Sequence, residues 1–195
     1  MDPSYFGAPM GIPEPVARLE NEGVRNRLAF VFQLAVAVVF GALMAILLFQ
    51  KVTIQENSME PTIAIGDIYF MNQVIYHFKE PQRGDVIVFR TNGSDEAALH
   101  ISRIIGLPGE TVRISNGRIY INEVLYQENA SFPVINNPGL AANGITMEEE
   151  EYFVLGDNRN NSDDSRYSDI GKVRGKYIVG KLWFQIYPEE KRGFA

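Results

Sequence analysis

The chain has 195 residues, 46% of them hydrophobic and 22% charged, with a formal net charge of −6 and no cysteine. That length holds one globular core plus an anchor, and the acidic balance excludes the basic field that a phosphate backbone requires, so no nucleic-acid partner is expected. The missing cysteines exclude disulfides, thiolate nucleophiles and zinc-thiolate sites, and because His77 and His100 lack a second ligand at metal spacing, neither a metal nor a cofactor is expected.

Residues 1–27 contain four prolines within the first fifteen positions and are expected to form a mobile cytoplasmic tail. Residues 28–50 follow as a transmembrane helix: LAFVFQLAVAVVFGALMAILLF is interrupted only by Gln33, long enough for a hydrocarbon core of about 30 Å. A buried core helix and a cleaved signal peptide are the alternatives, and the second is disfavoured by length and flank. The run exceeds a hydrophobic region of about 7–15 residues and ends in Phe49-Gln50-Lys51 with no small-residue cleavage pattern. Arg18, Arg25 and Arg27 precede the helix, whereas Lys51, Glu56 and Glu60 follow it. The arginine side therefore stays in the cytoplasm, which puts residues 51–195 outside.

Beyond the anchor, short runs of Val, Ile, Tyr and Phe alternate with Gly, Pro, Asn and Asp, the punctuation of an antiparallel β domain. Strands are expected at 68–72, 85–90, 100–106, 111–115, 118–122, 152–155 and 176–186. The strongest hairpin signal is Asn116-Gly117 between TVRIS and RIYIN. A partly closed barrel or a pair of packed sheets would manage so many strand edges. Residues 127–151 break every period and are expected to leave the core, with Glu148, Glu149, Glu150 and Glu151 as a solvated face. Met59 and the Ile63-Ala64-Ile65 segment suit either the lipid surface or the core.

Three segments carry residue types that packing does not explain. They are Asn57-Ser58-Met59-Glu60-Pro61-Thr62, the run from His100 to Glu110 ending in Leu107-Pro108-Gly109, and the polar loop at 156–166. That loop departs from a calcium-binding loop, because Arg159 stands at a ligand position. Asx side chains holding a turn account for it equally.

In this order behind an apolar helix, SMEPT, RGDVIVF, RIIGLPGE and GDNRNNSDDSR resemble the boxes of type I signal peptidases over about residues 28–188. The resemblance implies a membrane-anchored serine endopeptidase of mainly β fold. Its partners would be the lipid bilayer and the signal peptides of exported preproteins, cut after small residues on the outer face of the plasma membrane. It makes Ser58 the nucleophile, assigns Ser162 and Asp164 to orienting a lysine base, and assigns Asp157, Asn158 and Arg166 to the framework of the site. The backbone of Ser58 and the amide of Asn57 are the candidates for stabilising the oxyanion.

Two departures bear on the chemistry. Where active relatives keep a lysine immediately before the arginine of the second box, Ser102 precedes Arg103. His100 lies two residues upstream, on the same strand face and about 6–7 Å away, near Ser58 but outside the roughly 2.6–3.2 Å reach of a general base. Glu56 occupies the position two before the serine, where its carboxylate would oppose a developing oxyanion. No other lysine is placed by its spacing to act on Ser58, including Lys79, Lys172, Lys176 and Lys181. Two readings stay open. One is a signal peptidase that works slowly or with an unusual base. The other is an inactive homologue that binds signal peptides through a groove lined by Ile101, Ile104 and Val86, or assists a partner in pilus or surface-protein assembly.

Overall fold

Helix α1 runs over Val16–Leu48. The computed structural model describes residues 16–91, 97–128 and 130–194. The helix begins twelve residues before the expected start at 28, so residues 16–27 are helical where a mobile tail was expected. The local reason is composition: Ala17, Arg18, Leu19, Glu20 and Glu22 are strong helix formers and residues 16–27 contain no proline. Residues 1–15, the rest of the expected tail, lie outside the described residues. Within the helix, Gly23–Met44 is long and apolar enough to cross a membrane, at 1.5 Å per residue about 33 Å.

The chain divides into two compact units, residues 1–46 and 47–195. The second is antiparallel β. Its larger sheet orders β1 (Phe49–Thr53), β2 (Ile68–Asn72), β11 (Ile178–Tyr187), β3 (Val86–Arg90), β4 (Leu99–Gly106), β9 (Glu151–Leu155) and β10 (Val173–Arg174), with β12 (Gly193–Phe194) beside β11. A four-stranded sheet follows the order β7 (Val124–Leu125), β6 (Arg118–Ile121), β5 (Thr111–Ser115) and β8 (Ile145–Thr146). The answer to the edge problem is thus two sheets rather than a barrel. The β5–β6 turn forms where expected, with Asn116 and Gly117 at φ of 50° and 72°, the left-handed pair that a type I′ hairpin requires.

Three buried clusters hold this unit together. Val112, Ile114 and Ile119 of the small sheet pack with Ile105, Phe153 and Leu155 of the large one. Gly106 makes the approach possible: a Cβ there would stand 2.5 Å from Val112 Cγ2 and 2.9 Å from Phe153 Cβ. A second cluster joins Met59 and Ile63 to Tyr69, Met71, Val86, Val88, Ile101 and Leu182. A third joins Ile87, Phe89 and Ile104 to Tyr152 and Val154. Met59 and Ile63 are therefore core residues, while Ile65 is exposed. Ile101, Ile104 and Val86 are also buried, and so do not line an open groove as expected.

The segment 127–151 departs from expectation as well. It returns to the core through Ile135, Ala141 and Met147, and through β8, which pairs with β5. Glu148, Glu149 and Glu150 are solvated, but Glu151 is buried and ion-paired to Lys172. Burial pushes the Glu151 carboxyl up, yet the Lys172 ammonium and the Glu148 backbone N–H outweigh it and hold the pKa below its ordinary 4.5. A depressed carboxyl pKa stabilises the fold at pH above the ordinary value, and that contribution is lost as pH falls through the folded-state value. Glu151→Gln is therefore expected to flatten the acid limb of a thermal-stability profile below about pH 4.5, as followed by circular dichroism; an unchanged acid limb would show that the pair contributes nothing.

Candidate active site

The turn that carries Ser58 is fixed from both sides. Met59 and Ile63 insert into the core, and the Ile63 N–H donates to Met59 O at 2.9 Å. On the other side the polar loop grips the backbone: the Asn158 N–H donates to Ser58 O at 2.9 Å, and Asn158 Nδ2 donates to Asn57 O at 3.1 Å. Asn57 is thus anchored through its carbonyl. Ser58 is itself only 6% exposed, and its hydroxyl has two acceptors in range, Glu56 Oε1 at 3.0 Å and Ile101 O at 3.2 Å.

Strand β4 supplies the facing edge. Residues 99–103 pair with β3, whereas β9 joins the opposite edge only from Arg103 onward. Ile101 uses its free edge on the serine segment, accepting from the Ser58 hydroxyl and donating its N–H to Glu56 Oε1 at 2.8 Å. Ser102 is fully buried, and its hydroxyl has no hydrogen-bond partner among the described residues. An unpartnered buried hydroxyl costs roughly 1–3 kcal/mol. The residue at the lysine position therefore hydrogen-bonds to neither Ser58 nor Ser162. His100 stacks loosely near Phe89, with ring centroids 5.7 Å apart, and its Nδ1 lies 3.9 Å from Glu56 Oε2. Ser58 donates to Glu56 and Ile101 rather than to His100.

The polar loop is a self-contained network. Asp164 accepts from the Gly156 N–H at 3.1 Å, from Ser162 Oγ at 2.8 Å, and from Arg166 Nε and Nη2 at 2.8 Å each. The Arg166 and Asp164 side chains are 1% and 0% exposed. Ser165 Oγ accepts from the Val154 N–H at 2.9 Å, tying the loop to β9. Asp157 holds Arg103 by two bonds of 2.9 and 2.7 Å, and Arg103 Nη1 also donates to Gly84 O at 2.8 Å. Burial works against the Arg103 charge, but Asp157 outweighs it and the guanidinium pKa stands above its ordinary value. Gly156 lets the loop close on the serine turn, since a Cβ there would lie 2.4 Å from Ser162 Cβ and 2.5 Å from Ser58 O.

The nine residues singled out for the site in the sequence therefore sit on the serine turn, on β4 or in the loop, but only some of them touch. Ser162, Asp164 and Arg166 form one cluster, Asp157 belongs to Arg103, and Asn158 holds the turn. Two of the lysines are committed elsewhere: Lys181 Nζ binds Asp85 Oδ1 at 2.6 Å, and Lys172 pairs with Glu151. Sequence reasoning missed two features. Glu56 faces the serine hydroxyl instead of an empty oxyanion position, which its place two residues before Ser58 in a loop permits. Arg159 is buried, bound to Glu128 and set over Phe132 at 4.3 Å, a pairing across 31 positions that no local signal announces.

The chain matches the family model described as "Signal peptidase, peptidase S26" over residues 27–187. It is 34% identical over 166 residues to "Probable signal peptidase I-1" of Synechocystis sp., covering 82% of each chain. It is 35% identical over 144 residues to "Probable signal peptidase I-2" of the same organism, which is 72% of this chain but 64% of that relative's length. A crystal structure of a signal peptidase I from Enterococcus faecalis aligns at a TM-score of 0.44 with 36% identity, covering 53% of this chain and 97% of that one.

Proposed function

We propose that this chain, which belongs to the signal peptidase family, peptidase S26, binds the signal peptides of exported preproteins and cleaves them by serine-type chemistry, more slowly than a serine–lysine enzyme. The observation that carries the proposal is the Ser58 hydroxyl, buried in a turn braced on both sides and set against the edge of β4 that no described strand covers. An extended peptide can add to that edge as a further strand, held by main-chain hydrogen bonds. Ser58 then attacks the scissile carbonyl, and its own backbone N–H is the candidate donor to the oxyanion. Ser162, Asp164, Arg166, Asp157 and Asn158 hold the turn and β4 in register for that attack.

The apolar span of α1 anchors the chain in the plasma membrane as a single pass, with Arg18, Arg25 and Arg27 on the cytoplasmic side and the β unit outside. One observation favours a second reading, an accessory factor that binds signal peptides or an assembly partner without chemistry: the buried Ser102 hydroxyl has no partner where an amine would serve as base. A cleavage assay separates the two. The full chain in lipid vesicles is expected to shorten a preprotein slowly, and Ser58→Ala is expected to abolish that shortening. Absence of cleavage from the wild-type chain, with peptide binding intact, would establish the accessory reading instead.

A further inference from the structure

The geometry points to Glu56 as the proton acceptor that serves Ser58 in this chain, an inference that rests on the serine-peptidase reading above. A serine hydroxyl is a weak nucleophile and needs a base within about 2.6–3.2 Å. Glu56 Oε1 stands 3.0 Å from Ser58 Oγ, and it is the only side-chain group to which the hydroxyl donates among the described residues. A working base is itself oriented by a third group. Here the Ile101 N–H donates to the same Oε1 at 2.8 Å, and His100 Nδ1 faces the other carboxylate oxygen from 3.9 Å. The buried Ser102 hydroxyl makes no bond to any of them.

The step balances without another reactant. As the Ser58 O–C bond forms, the Ser58 proton passes to Glu56 Oε1 and the carbonyl electron pair moves onto its oxygen. Glu56 is then a neutral acid at the moment the oxyanion exists, so the expected repulsion between two negative charges does not arise. Glu56 returns the proton to the leaving amine nitrogen as the C–N bond breaks, leaving the signal peptide as an ester on Ser58. Water attacks that ester, Glu56 takes the water's proton, and proton return to Ser58 Oγ restores the starting state.

The test compares wild type, Glu56→Gln, Ser102→Lys and the double variant in vesicles against one preprotein, with signal-peptide binding measured on each. Gln keeps the side-chain length and an oxygen to accept the Ile101 N–H, but it cannot take a proton. The expected result is a kcat lowered about 10²-fold or more by Glu56→Gln at unchanged KM. Cleavage should return in the double variant, where an amine supplies the base. Unchanged or faster turnover in Glu56→Gln would overturn the assignment, and faster turnover would identify the carboxylate as a plug on the β4 edge. A silent wild type with an active, Ser58-dependent Ser102→Lys variant would overturn it together with the reading that the wild-type chain cleaves. Silence in both would sink the serine-peptidase reading itself.

Discussion

Ser102→Lys is expected to raise signal-peptide cleavage by an order of 10²-fold, the scale of one well-placed general base. The position is fully buried on β4, one residue along from the Ile101 carbonyl that already touches the Ser58 hydroxyl. An amine brought into that interior is desolvated, which lowers its pKa and leaves it neutral enough to accept a proton near pH 7. The substitution replaces a hydroxyl that lacks a partner, so no hydrogen bond is lost. Extra volume in a packed interior costs about 1–3 kcal/mol, so the variant should melt somewhat lower while turning over faster. Initial rates on a preprotein, with Ser58→Ala in the same background as the blank, check this. Equal rates for Ser102→Lys and wild type would show that proton acceptance is not what limits the reaction.

Asp164→Ala is expected to destabilise the β unit by about 3–5 kcal/mol, because it leaves the guanidinium of Arg166 buried without its carboxylate. Three other bonds fail with it, from the Gly156 N–H, from Ser162 Oγ and from the Arg166 N–H. The drop in melting temperature should be on the order of 10 °C, whereas Asp163→Ala, at an exposed neighbouring position, should stay within about 0.5 kcal/mol. Activity should fall together with stability, since the loop that Asp164 closes also holds the backbone of Asn57 and Ser58. Thermal denaturation of the two variants side by side decides it. Equal melting points would mean that the network is decoration on a turn held by Met59 and Ile63 alone.

Much of the fold was legible because its signals are local. Alternation marked β2, β3, β4, β5, β6 and β9 to within a residue or so, and Asn116-Gly117 fixed the hairpin register. What stayed hidden depends on partners far along the chain. Phe49–Thr53 follows the helix with no Gly or Pro to mark a break, and only its pairing with β2 makes it a strand. The strand expected from 176 starts at Ile178, since Gly175–Tyr177 close a 3-10 turn. Ile135, Ala141 and Met147 are spaced by loops, so their burial under the small sheet has no period to betray it. In the site, residue identity located Ser58, Ser102 and the polar loop, but not who bonds to whom. Electrostatic reasoning on Glu56 assumed a carboxylate facing the oxyanion, whereas the turn swings it onto the hydroxyl and the β4 edge. Strand spacing put His100 near Ser58 but out of its reach, and gave no sign that His100 Nδ1 stands 3.9 Å from a Glu56 oxygen.

The central claim is that the Ser58 oxygen becomes covalently acylated even though no lysine stands beside it. Acid-quenching the full chain during turnover and measuring its intact mass tests this directly. The expected spectrum shows a fraction of the protein heavier by the mass of the signal peptide, with the adduct on Ser58 and absent from Ser58→Ala. Preprotein cleavage that continues in Ser58→Ala, with no adduct on the wild-type chain, would contradict it.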